Sequence, residues 1–128
     1  SDAFAVEAEM PYAVRVSRGA ARNRLAQANG VTPDELLADV HHSDPLEFAH
    51  LKPNADPNRL ANLWALRPEA HNIASREWAA FRASLKGRPP TQAEIMAAKL
   101  RIDRMVEAYL RRPGVPRSRV APKDGGLR

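Results

Sequence analysis

Apolar residues recur at helical spacing in three stretches, and two short runs have the look of strands. From Arg15 to Asn29, Ala20, Ala21, Leu25 and Ala28 share one face while Arg18, Arg22 and Asn23 lie on others, which predicts a helix stopped by Gly30. The preceding residues 3–16 space Phe4, Val6, Met10, Tyr12, Val14 and Val16 loosely around Pro11 and read as coil or a short extended piece. Thr32-Pro33-Asp34-Glu35 is a capping box with proline at the first helical position, predicting a short helix to about Asp39. Residues 40–67 are rich in Pro, Asn and Asp and predict loop, with short strands near Asp39–His42 and Leu63–Leu66.

A second long helix is expected from Pro68, with Ile73, Ala74, Trp78, Phe81 and Leu85 inward, up to Lys86-Gly87. Arg88-Pro89-Pro90 makes a turn, and Thr91 with Glu94 forms another capping box. Ile95, Ala98, Ile102, Met105, Val106 and Tyr109 then form an amphipathic stripe to about Arg111. Trp64, Trp78 and Phe81 read as core. The Pro- and Gly-containing tail over residues 113–128 reads as mobile.

A chain of 128 residues fits one domain. Aromatics are only 5%, so its core must rest mainly on Ala, Leu, Val and Ile. The absence of Cys excludes a disulfide scaffold, a Cys-ligated zinc site, a thiol nucleophile and an iron–sulfur cluster. No apolar run approaches the roughly 18 residues of a membrane span. Ser1-Asp2-Ala3 lacks the basic start of a signal peptide, and a start on Ser reads as a segment of a longer protein.

Charge is uneven. The net is +5, yet residues 86–128 carry eleven Lys and Arg against four Asp and Glu. Such an excess favours a polyanionic partner. Lys86, Arg88, Arg101, Arg104, Arg111 and Arg112 are the candidate phosphate contacts, with Arg15, Arg18 and Arg22 of the first helix as the other path.

All four histidines, His41, His42, His50 and His71, fall within a 31-residue window. Adjacent strand residues point to opposite faces, so His41 and His42 cannot both bind one metal from a regular strand. One can ligate while the other takes a proton from water, a division suited to hydrolysis. His71, in the first turn of its helix, can return to the same site. Asp44 and Glu47 are candidates to orient an imidazole, and His50 reads as structural.

The order His41-His42-x-x-Pro45, a linker, Asn62-Leu63-x-x-Leu66 and His71 resembles the HNH/endonuclease VII superfamily of ββα-metal (His-Me finger) nucleases, closest to its toxin-type His-His branches. The resemblance spans residues 38–82. It implies a mainly α single domain with a small ββα-metal hairpin–helix module, a supporting basic helix over 83–112, and the tail over 113–128. Carried over by position, His41 and His71 are metal ligands and His42 is the general base. Asn62 is the motif's middle residue, which orients the loop or binds metal. The implied cofactor is one divalent ion, Mg²⁺ first, with Ni²⁺, Mn²⁺ or Zn²⁺ also seen at such sites.

The sequence departs from relatives at Ser75, where many have a further His, and at Val40, where the best-known toxin branch has Gly. The third ligand is left open among Asp39, Asn62 and His50. The resemblance points to a DNA endonuclease within a larger secreted bacterial effector. It would act in a target-cell cytoplasm and meet a cognate immunity protein. The alternatives are a non-catalytic basic nucleic-acid-binding module and a helical interaction module.

Overall fold

The computed structural model describes the backbone of residues 12–115 and the side chains of residues 17–115; the expected tail beyond 115 lies outside them. Helix α1 (Tyr12–Ala28) is followed by strand β1 (Asp39–His42), strand β2 (Leu63–Leu66), helix α2 (Pro68–Ser84) and helix α3 (Gln92–Leu110). Short 3-10 segments punctuate the connections at Pro33–Glu35, Leu46–Leu51 and Leu60–Asn62. The fold is mainly α with one small antiparallel hairpin, as expected.

The hairpin pairs Asp39 with Leu66, Val40 with Ala65, His41 with Trp64 and His42 with Leu63. Both faces of β2 are buried. Period-2 alternation sends Trp64 and Leu66 into a core with Ala70, Ala74 and Trp78 of α2 and Ile95, Ala98, Ile102 and Val106 of α3. Leu63 and Ala65 go the other way, onto Ala21, Leu25 and Ala26 of α1 and onto Leu36 and Ala38. The hairpin is therefore the middle layer, between α1 on one side and the α2–α3 pair on the other. Burial of each large apolar side chain stabilises this arrangement by roughly 1.5–3 kcal/mol.

Four local readings change. Residues 12–16 continue α1 instead of forming coil, because a proline just before a helix removes only an N–H that has no intrahelical partner. Ala20 and Ala28 are exposed, and the buried face runs through Ala21, Leu25 and Ala26.

The Thr32 capping box forms as expected, but the turn it starts ends at Glu35. Extension beyond that point buries Leu36 and Ala38 while Leu37 faces solvent, an in–out–in alternation that a helix would not give. Arg22 of α1 secures this segment by donating to the carbonyls of Pro33, Leu36 and Ala38 at 3.3, 3.0 and 2.6 Å. Met105 is 39% exposed, at the edge of the α3 stripe, not within it.

The remaining boundaries follow their signals. Gly30, at φ 68°, takes the left-handed position that terminates α1. Thr91 and Glu94 make reciprocal capping bonds that start α3. Phe48, Trp78 and Phe81 stack at ring separations of 5.5–6.1 Å and close the far end of the α2–α3 core.

Candidate functional site

Strand β1 places its polar residues alternately. Asp39 and His41 face the α2–α3 layer, while Val40 and His42 face α1. His41 is 4% exposed and lies edge-on to Trp64. Its ring is 6.1 Å from that of His71, the fourth residue of α2. His71 Nδ1 stands 3.4 Å from Asp39 Oδ2. Residues 39, 41 and 71 thus are neighbours where β1 passes the start of α2.

Asp103 of α3 completes the buried side. It is 3% exposed, accepts a 2.6 Å hydrogen bond from Ser43 Oγ, and lies 3.6 Å from His41 Nε2. His41 Nε2 itself makes no hydrogen bond. A buried carboxylate is costly unless paired, and its two neighbours here both come from the β1 segment. Sequence spacing gave no sign of this, since 60 residues separate Asp103 from Ser43. The one available clue is an Asp falling next to Ile102 within the apolar stripe of α3.

On the other face, His42 Nε2 is 2.8 Å from Asn58 Oδ1, and Asn58 Nδ2 donates to the Ser17 carbonyl at 2.8 Å. The Ser17 carbonyl can only accept, so it fixes the amide orientation of Asn58. An amide oxygen then faces His42, so the Nε2 proton is the donor and Nδ1 keeps its lone pair. Burial pushes His42 down to about 4, against the raising effect of the Asn58 bond; the charges of His41, Arg18 and His71 add to the fall. His71 is also lowered, first by burial and then by His41, with Asp39 opposing. The arrangement favours neutral imidazoles at His42 and His71 at neutral pH.

Asn62 is 1% exposed, and its amide is engaged with backbone. Its Oδ1 accepts from Asp44 N at 2.7 Å, and Nδ2 donates to the carbonyls of Asp44 and Pro57 at 3.1 and 2.9 Å. It holds the long β1–β2 connection closed. Asp44 and Glu47 contact cations, not an imidazole: Asp44 meets Arg59, Lys52 and Lys99, and Glu47 meets Arg82. His50 is exposed in the 3-10 turn.

The residues fit a divalent ion in the kind of donor they offer. Two imidazoles, 6.1 Å apart between ring centres, and one carboxylate are neighbours, and the His41 Nε2 has no hydrogen-bond partner. Among the described residues, no three His, Asp or Glu side chains converge as a ready ligand group.

Three of the six candidate phosphate contacts have an acid partner. Arg88 makes a bidentate pair with Glu94, Arg101 pairs with Glu77, and Arg111 lies 3.6 Å from Glu107. Lys86, Arg104 and Arg112 are exposed. Arg18 of α1 is exposed and close enough to His42 and His71 to depress both. No helix among the described residues is long and apolar enough to cross a membrane. Comparison of the chain with family models, with curated proteins and with solved structures gives no significant match.

Proposed function

We propose that this chain is a metal-dependent endonuclease that hydrolyses phosphodiester bonds in DNA, built on a ββα-metal module. The observation that carries the reading is the orientation of His42. The Asn58–Ser17 clamp leaves Nδ1 as its lone-pair nitrogen, next in sequence to His41 and near enough to His41 and His71 to feel their charge.

In this mechanism His42 Nδ1 takes a proton from water as the water oxygen bonds to phosphorus. The ester P–O bond opposite breaks, and the leaving oxygen receives a proton from solvent. His42 then releases its own proton to bulk water. A low proton affinity at His42 keeps the base in its reactive form at neutral pH. Asp103 and Ser43 hold the buried side of β1, and so the His41 ring, in place. His41 and His71, with Asp39 beside them, would hold the divalent ion, which supplies charge stabilisation at the phosphate oxygens and at the leaving oxygen when bound.

The resemblance extends the proposal to biology. The domain belongs to a larger secreted or injected bacterial effector, acts in the cytoplasm of a target cell, and is neutralised by an immunity protein. Incubation with plasmid in Mg²⁺, Mn²⁺, Ni²⁺ or Zn²⁺ should give nicked and linear DNA. EDTA and His42→Ala should each abolish it. Absence of cleavage with every ion, by a folded chain, would overturn the proposal in favour of a non-catalytic nucleic-acid-binding module.

A further inference from the structure

Asp44, two residues beyond His42, gathers three cations. Arg59 Nη2 lies 2.9 Å from its Oδ2, Lys52 Nζ 3.5 Å from both oxygens, and Lys99 Nζ 3.8 Å from Oδ2. The carboxylate lies beneath them: its side chain is 14% exposed, against 37%, 36% and 22% for Arg59, Lys52 and Lys99. One carboxylate neutralises one cation, so two positive charges remain at this surface. The nearby acids Asp56 and Glu47 are already paired with Arg24 and Arg82.

The cations are also held in place. Arg59 Nη1 donates to the Asp56 carbonyl at 2.9 Å, and Asn62 fixes the backbone of Asp44 from both sides. Donors ordered before binding lose little entropy when a ligand arrives. Lys99 lies one helical turn before Asp103, which touches Ser43 and lies beside His41, so the cluster and the histidines share one end of the hairpin. Other cations of the last third differ: Arg88, Arg101 and Arg111 each have an acid partner of their own.

We infer that Lys52, Arg59 and Lys99 form a binding site for backbone phosphates of nucleic acid, with Asp44 as the internal anion that occupies the cations between binding events and competes with the phosphate. The choice of nucleic acid as the polyanion rests on the nuclease reading; the site itself binds and performs no chemistry.

The test is fluorescence anisotropy with a labelled DNA duplex, in EDTA, over a series of KCl concentrations. Lys52→Gln and Lys99→Gln should each weaken binding several-fold and flatten the plot of log K against log salt by about one unit per lost contact. Asp44→Asn, nearly isosteric, removes the competing anion and should bind several-fold more tightly. Folding of each variant is checked by circular dichroism. Wild-type affinity and salt slope in both folded lysine variants would overturn the site, as would a folded Asp44→Asn that binds no more tightly. Cleavage is scored separately, with metal and the wild-type chain. Lysine-sensitive binding without cleavage keeps the site and removes the nuclease, whereas cleavage with lysine-insensitive binding does the reverse.

Discussion

The two strands of the hairpin are equal in length and opposite in character. β2 is Leu-Trp-Ala-Leu, buried on both faces, and divides its side chains between two cores. β1 is Asp-Val-His-His, and three of its four residues are titratable. Hydrogen bonding locks one to the other in a single register. A one-residue slip would move Trp64 and Leu66 onto the α1 side and Leu63 and Ala65 onto the α2–α3 side. The apolar strand therefore fixes which imidazole faces which layer. β1 has little means of setting its own register, since only Val40 contributes apolar burial there.

The sharpest separation of the two strands comes from substitution at the chemistry. His42→Ala should lower the cleavage rate by about 10²–10⁴-fold, the usual loss for a general base. Its circular dichroism spectrum should match wild type. Cleavage near the wild-type rate would take the base role from His42.

Trp64→Ala attacks the register strand instead. Emptying this site should cost about 3–5 kcal/mol in urea unfolding, the range for a fully buried Trp. Activity of the surviving folded fraction should also fall, because Trp64 forms the edge-on wall against His41. An unchanged urea midpoint would show that β2 does not carry the hairpin.

Acid should sharpen the comparison, because β2 has no acid-titrating side chain whereas β1 carries His42. His42 binds its proton near pH 4 in the folded chain, while the unfolded chain binds it near 6.5. Below pH 6.5 the unfolded state takes up a proton that the folded state refuses, so stability is full above that pH and falls as pH drops toward 4. The loss is on the order of 3 kcal/mol for His42, and His71 adds in the same direction. Urea midpoints measured from pH 7 to 4.5 should show the decline, and His42→Gln should reduce it. In kcat/KM the acid limb belonging to His42 should lie near its lowered value, not at an ordinary imidazole midpoint. A limb at 6.5 would mean that the ring is hydrated during turnover.

The smallest effect is expected at the joint between the strands. Asn62→Ala leaves Asp44 N and the carbonyls of Asp44 and Pro57 without that partner. A cost of roughly 2 kcal/mol is expected, within the range for buried polar groups left unpaired. Thermal unfolding measures it, and an unchanged Tm would mean that water replaces the amide.

The strands, the starts of α2 and α3 and the stop of α1 were legible because each is encoded within a few residues, whereas the start of α1 was not. Asp39–His42 and Leu63–Leu66 stand out against a proline-rich loop, and Thr91 with Glu94 announces α3. The Thr32 box was an equally clear signal and misled on length. A cap reports where a helix begins, but burial of Leu36 and Ala38 against α1 decides where this one ends. The site was legible only as far as its histidines. Asn58 looks like one more turn former among the asparagines of its loop, and its hold on Ser17 spans 41 residues. Asp103 shows in the sequence only as an Asp within the apolar stripe of α3, because its meaning depends on the β1 segment it packs against.

The connection from Ser43 to Asn62 is closed at its base, where Ser43 N donates to the Asn62 carbonyl at 3.0 Å and the Asn62 amide bridges Asp44. A loop clamped at its neck passes little strain to the strands it joins, and added length costs only slowly in closure entropy. Its tip, residues 53–55, lies beyond the Phe48 core contact and the Lys52 ion pair, and is therefore free to diverge in evolution or to be replaced by grafting while the hairpin register stays put. The neck and the stretch 56–59, which carries Asn58 and Arg59, are not exchangeable in this way. Natural variation in this chain should accordingly concentrate in the bow of the loop and spare its knot.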